Sequence, residues 1–240
     1  MSVSLNKFIS SQGICSRREA DRIIEEGRVL INGKIAKRGN RVEPDDKVVL
    51  DGKNISQRQK TKGKKTKKHT YLIFNKPRGI ITTTDLREPA NVISYIDYHK
   101  RIFPVGRLDK DSEGLLLMTD DGEIVNHILR AKHGHEKEYI VSVNKPLEKE
   151  FVEKMQAPMK ILGQKILPVK VERLGRDTFN IILTQGLNRQ IRRMCNNLGY
   201  KVKTLQRVRL MNLYLGDLPV GKWRYINASE LARLKSLIEE

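Results

Sequence analysis

The chain has 240 residues, with 47 Lys and Arg against 28 Asp and Glu and a formal net charge of +19. Roughly 70–75% of the unfolded surface can be buried at this length, so a stable core needs neither disulfides nor metal. The charge favours a polyanionic partner, nucleic acid first. No apolar run approaches the ~20 residues that cross a bilayer. The start, MSVSLNKFISS, lacks an apolar signal core, so a cytoplasmic protein is expected.

In the first 52 residues, Ser4 precedes an apolar pattern (Leu5, Phe8, Ile9) that Gly13 ends. Ser16 opens a second helix with Glu19 three residues on, a capping box, and Gly27 stands where a glycine terminates helices. Arg17, Arg18 and Arg22 decorate this helix; 18 and 22 lie one turn apart and can share a face. Strands follow around the Asn32-Gly33 turn and on to VVLDG. Cys15 and Cys195 form no CxxC pair and read as free thiols in a reducing compartment.

Residues 53–69 interrupt this texture. The run KNISQRQKTKGKKTKKH carries eight Lys and Arg and no acid. It cannot bury a face and its charges repel, so a flexible basic linker is expected, either a solvating tether or an arm on phosphates.

From residue 70 to 240 the chain reads as a larger domain. YLIFNKPRGIITTT, EYIVSVN, KVERLGRDTFNIILTQG and VKTLQRVRLMNLYLG have strand composition. Helical patterns lie at 122–131, 147–155 and 187–198, and Asn227 with Glu230 caps a last helix bearing Leu231, Leu234 and Leu237. This alternation indicates an α+β domain with a mixed, mainly antiparallel sheet and flanking helices.

Three segments can carry chemistry. GRLDKDSEG, residues 106–114, offers Asp109 from a glycine-flanked loop that runs into LLLMT. EKEY places Tyr139 at a strand start, and GLNRQIRRM gathers Arg189, Arg192 and Arg193 where a strand meets a helix. Taken singly, a loop Asp is usually a turn-former, a strand Tyr is usually core, and an arginine cluster is usually solvated. DKDSEGLLLMTD partly mimics a calcium loop, but its twelfth position is Asp120 instead of Glu, and Pro104 and Gly106 deny it an entering helix. The histidines, including His127, His133 and His135, suit no zinc site, and no GxGxxG or GxxxxGK[ST] occurs.

Together these segments, with YLIFNKPRGI, resemble the small-subunit branch of the ribosomal RNA pseudouridine synthases, in order and spacing. HILRAKHGHEKEY and LNRQIRRMCNNLGY bring the resemblance nearest the type acting on large-subunit (23S) RNA. The stretch LNKFISSQGICSRREADRIIEEGRVLINGKIAKRGNRVEPDDKVVL is similar to the RNA-binding module of ribosomal protein S4. The resemblance implies isomerisation of a uridine to pseudouridine by base flipping, with neither cofactor nor metal. It implies Asp109 as the catalytic aspartate, attacking the ribose or acting as a base, and Tyr139 as the active-site tyrosine. Arg192 matches the arginine that pairs with the aspartate, and a bidentate pair would keep Asp109 charged in a partly buried cleft. Arg107 matches the position that fills the vacated base stack. Arg189, Arg193 and Lys76 are assigned to phosphates, and the helix pair bearing Arg17, Arg18 and Arg22 to structured RNA. The partner implied is ribosomal RNA or a pre-ribosomal particle, with a monomer as the default and no membrane. The rival class is a ribosome-associated binding protein that has lost catalysis.

Overall fold

The structure, a computed structural model, describes residues 2–56, 69–129 and 134–239. It divides into two compact units, Met1–Lys68 and His69–Glu240. Most of the expected basic linker, the C-terminal end of the helix expected over 122–131, and His133 lie outside the described residues.

In the first unit, β1 (Val3–Ser4) leads into α1 (Leu5–Ser11) and then α2 (Arg17–Glu25). Ser16 Oγ accepts the Glu19 amide at 3.1 Å, so half of the capping box forms, while the Glu19 carboxylate turns to Arg22 at 2.7 Å. Strands β2 (Val29–Ile31), β3 (Lys34–Ile35), β4 (Arg41–Val42), β5 (Val48–Leu50) and β6 (Lys53–Asn54) complete the unit. Asn32 and Gly33 both adopt positive φ, 50° and 81°, the requirement of a tight two-residue hairpin. Asp51 and Gly52 repeat the device, which carries β6 back along β5. Ordered structure therefore runs past residue 52: Ile55 is buried in the small core and Ser56 Oγ accepts the Val48 amide.

The second unit is built on one nine-stranded sheet. Along the chain come β7 (Tyr71–Lys76), α3 (Val92–Ile96), β8 (Phe103–Val105), β9 (Glu113–Thr119), α4 (Gly122–Leu129) and β10 (Lys137–Val143). Next are α5 (Phe151–Gln156), the small hairpin β11 (Lys160–Ile161) and β12 (Gln164–Lys165), then β13 (Lys170–Arg173) and β14 (Thr178–Leu183). The last elements are α6 (Gln190–Asn197), β15 (Val202–Leu210), β16 (Leu213–Tyr214), β17 (Trp223–Tyr225) and α7 (Ala228–Glu239). The sheet order is β13-β14-β10-β15-β9-β7-β17, with β16 on β15 and β8 on β9. Every pairing is antiparallel except β15 with β9, so the sheet is mixed and mainly antiparallel.

Strand β7 shows why the domain has two cores. All six of its residues are buried, Leu72 and Phe74 in one cluster, Tyr71 and Ile73 in the other. A strand covered on both faces reads as a continuous apolar run, which YLIF is. One face packs α3, α5 and α6 through Val92, Phe151 and Met194, and the other packs α4 and α7 through Ile124 and Leu234. Asn227 and Glu230 exchange side-chain-to-amide bonds of 2.8 and 2.9 Å, the full capping box at the start of α7. Glu113–Thr119 is extended strand, which no calcium-coordinating loop could accommodate.

The parallel contact of β9 with β15 joins the two halves of the sheet through only two residue pairs, Glu113 with Gln206 and Gly114 with Arg207. Gly114 has φ +100°, and a Cβ there would lie 2.3 Å from the Arg207 carbonyl oxygen. Only glycine allows this join, which lies a few residues after the RLD segment.

Candidate active site

Asp109 sits on the loop that enters β9, and two ties hold that loop. Thr82 Oγ1 donates to the Leu108 carbonyl at 2.8 Å and accepts the Leu108 amide at 3.2 Å. The Gly79 amide donates to Lys110 O at 2.8 Å. Leu108 is buried as an anchor, Arg107 before it is exposed, and the Asp109 side chain keeps 32% exposure. The alternation buried–exposed at one loop lets the carboxylate face a cavity while the backbone is fixed from behind.

That cavity has a volume of about 470 Å³ and lies on the sheet beside the β9–β15 join. Asp109 and Arg107 line it from the loop, Tyr139 from β10, and Arg189 with Ile191 from the start of α6. Ile191 is buried there, as packing beneath the site requires. Ser112, His135 and Thr184 line it too, and Arg207 from β15, Lys137 from β10 and Gln190 add further polar groups.

The strand register explains the last group. Glu138 pairs with Arg209 but Tyr139 pairs with Arg207, so Val208 is the extra residue of a β-bulge. Without it, residues 207 and 210 would point to opposite faces of the sheet. The bulge puts both on the cavity side, opposite Tyr139 and Lys137. Arg207 is only 3% exposed; its Nε donates to Leu115 O at 2.7 Å, and its Nη2 has no partner among the described residues. Gln190 Nε2 is likewise buried without a partner. Each such donor costs on the order of 1–3 kcal/mol unless something accepts its proton.

The arginine expected beside Asp109 is a different one. Arg192 donates to Asp111 O at 3.0 Å and reaches Ser112 Oγ at 3.4 Å, bracing the loop through its main chain. Arg189 Nη1 instead lies 3.9 Å from Asp109 Oδ2 and 3.7 Å from Asp111 Oδ2. The cause is local geometry: Arg189 caps α6 in the left-handed conformation, φ 51°, which throws its side chain towards the loop. Three residues on, Arg192 is taken up by main-chain acceptors. Its guanidinium pKa is lowered, first by burial and then by Arg189, with Asp109 and Asp111 opposing.

Lys76 also departs from expectation. It is fully buried, and Nζ donates to Pro77 O and Ile80 O at 2.9 and 2.7 Å, so it offers no accessible charge to a phosphate. Burial pushes it down to about 8, against the opposing pull of Asp109, Glu113 and Asp111. Lys76 therefore ties the 76–80 turn and places a cation behind the loop.

A second hollow of similar size, about 470 Å³, lies along α6. Lys160, Arg189, Arg192, Arg193 and Lys201 line it, with no acidic residue among its lining. Arg189 thus borders both hollows. In the first unit Arg17, Arg18 and Arg22 are all exposed along α2.

A profile of the RNA pseudouridylate synthases matches residues 70–197, the segment that contains Asp109, Tyr139 and Arg192. The chain belongs to the RNA pseudouridylate synthase family. An S4 domain profile matches residues 3–48, the helix pair and strands of the first unit. The chain is 48% identical over 99% of its length to the dual-specificity RNA pseudouridine synthase RluF of Escherichia coli K12, covering 80% of that protein. It is 31% identical to the ribosomal large subunit pseudouridine synthase B of Bacillus subtilis, over 98% of this chain and 96% of the relative. A crystal structure of a pseudouridylate synthase, 27% identical, superposes with a TM-score of 0.68 over 97% of this chain and 99% of its own. This pseudouridine synthase therefore pairs an S4 RNA-binding unit with a catalytic unit, and RNA is its substrate. Among the described residues no helix is long and apolar enough to cross a membrane.

Proposed function

We propose that this synthase isomerises a uridine of ribosomal RNA, in the large-subunit (23S) molecule, working as a cytoplasmic monomer. The observation that carries the reading is the gathering of Asp109, Tyr139 and Arg189 around one cavity at the join of the two sheet halves. A paired base cannot reach such a cavity, so the target nucleotide is extruded at a cost of a few kcal/mol. Arg107, exposed at the cavity rim, is placed to fill the vacated stack with its planar group.

Asp109 is the carboxylate that opens the C1′–N1 bond, by bonding to C1′ or by taking a ribose proton. Arg189 supplies the positive charge beside it, and Arg192 acts as a positioning residue through Asp111 and Ser112. The buried Tyr139 ring stacks on the detached base, and its hydroxyl is placed to help remove the C5 proton. Arg189 and Arg193, on the cation-lined hollow beside the cavity, hold phosphates of the same strand. Arg17, Arg18 and Arg22 serve the S4 unit in the same way. The name of the Escherichia coli relatives points to two RNA specificities, so a second RNA class belongs in any substrate screen.

Because C5 loses its hydrogen when it bonds to C1′, a 23S transcript labelled with tritium at uridine C5 releases label on turnover. Wild type is expected to release one equivalent per modified site and Asp109→Asn none. Release by the variant at the wild-type rate would refute the role of Asp109.

A further inference from the structure

Two buried side-chain donors, on residues that line the cavity, have no protein partner among the described residues. Arg207 is held at Nε by Leu115 O, which leaves Nη2 directed elsewhere. Gln190 accepts the Leu187 amide through Oε1 at 3.0 Å, and this fixes Nε2 as its donating end. Both are nine-tenths or more buried, at 3% and 4% exposure, and both line the cavity of Asp109 and Tyr139. Charge at this end has one sign: Lys137, whose Nζ donates to His135 O and Thr184 O, stands close enough to Arg207 to be pushed down, after burial, to about 8. No carboxylate pairs with either cation among the described residues. Two unpartnered donors on the cavity lining and an uncompensated positive charge fit a ligand with two acceptor oxygens that gathers negative charge.

We propose that Arg207 and Gln190 donate to the two carbonyl oxygens of the extruded uracil, and that Arg207 stabilises the charge on the base once it is detached. This rests on the reading of the Asp109 cavity as the active site. When C1′–N1 breaks, the electron pair stays with the ring and spreads from N1 onto O2 and O4. The deficit at C1′ is met by a lone pair of the Asp109 carboxylate, or by the C2′–H bonding pair left behind when this carboxylate takes the C2′ proton, which it later returns. The ring turns, C5 bonds to C1′, and C5 releases its proton, so no further reactant is required. A buried donor aimed at an oxygen that becomes more negative along the path lowers the barrier more than it tightens binding. Cytosine carries an amino group in place of one carbonyl and would set donor against donor, so the same pair selects uracil.

The test uses full-length Arg207→Met, Arg207→Lys, Gln190→Ala and Asp109→Asn on a 23S transcript. Single-turnover rate, filter-binding Kd and thermal melting are measured for each. Arg207→Met is expected to slow the reaction by about 10²–10³-fold with Kd unchanged. Arg207→Lys, which keeps the charge, recovers part of that loss, and Gln190→Ala shows a smaller loss in rate alone. Full rates in Arg207→Met or in Gln190→Ala would overturn the two-donor arrangement. So would equal losses in Arg207→Met and Arg207→Lys accompanied by early melting, since that marks a packing role. If Asp109→Asn turns over normally, the active-site reading itself fails; if only that variant is dead, the synthase reading stands and this inference falls.

Discussion

Arg189 and Arg192 stand three positions apart in one motif yet carry different loads. Arg189 is exposed and meets the Asp109 carboxylate, whereas Arg192 is drawn under the loop by Asp111 O. Arg192→Ala is expected to cost about 1–3 kcal/mol of stability, because a loop carbonyl and a buried pocket lose their donor. Arg189→Ala should leave melting nearly unchanged while lowering the single-turnover rate. Chemical denaturation beside kinetics separates them, and identical profiles would contradict the assignment. Lys76 gives a pH signature. Its folded pKa of about 8 lies below the ordinary lysine range, so above pH 8 the unfolded chain binds a proton that the folded chain does not. Stability attributable to this group therefore rises with pH from about 8 through that range, and is at its lowest below it. Lys76→Met should flatten that rise in urea midpoints between about pH 8 and the ordinary lysine range near 10; parallel slopes would contradict the burial argument. At this scale the sequence made Asp109, Tyr139 and the arginine cluster legible, because motif spacing names residue types. It could not assign Arg189 and Arg192 their partners, because the choice depends on the left-handed cap of α6.

Elements place these residues. The β9–β15 join tolerates only glycine at 114, given φ +100° and the nearby Arg207 carbonyl. Gly114→Ala is expected to destabilise the catalytic unit by about 3 kcal/mol or more and to lose activity with it. A melting temperature within about a degree of wild type would refute that view of the join. The strands and most helices were legible from apolar patterning, and the caps at Ser16 and Asn227 from short side chains with Glu three residues later. Arg207 was not, because a strand arginine is read by default as solvent-facing. Regular pairing of Leu205 with Val141 and of Arg207 with Tyr139 already turns Arg207 to the cavity side, and the bulge at Val208 brings Leu210 to the same side. Lys76 was misread for a related reason: it ends a strand covered on both faces, where a lysine is rare and a surface reading is the natural default. The five-residue helix α3 escaped notice because it is too short to show a periodicity.

For the whole molecule, charge and architecture divide the work. The net charge of +19 is spread over both units and the run between them, while the cavity belongs to the second unit alone. Deleting residues 1–68 is expected to weaken RNA binding and to flatten its salt dependence. The log–log slope should fall by ~0.7–0.9 for each phosphate that the first unit and the basic run neutralise. The remaining unit should keep its melting transition, since both of its cores lie within residues 71–240. Normal affinity and slope in the truncated protein would show that the first unit does not carry binding. The two-unit organisation was legible from the change of texture on either side of the basic run. The end of the first unit was less so, because β6 and Ile55 continue the fold on residues that look like linker.

The central claim, that Asp109 drives pseudouridine formation in ribosomal RNA, is tested most directly by mapping pseudouridine in cells. Carbodiimide labelling and primer extension on RNA from cells lacking the protein would be compared with cells rescued by wild type or Asp109→Asn. The account predicts that a large-subunit site loses its mark and that only wild type restores it. An unchanged pattern, or restoration by Asp109→Asn, would contradict it.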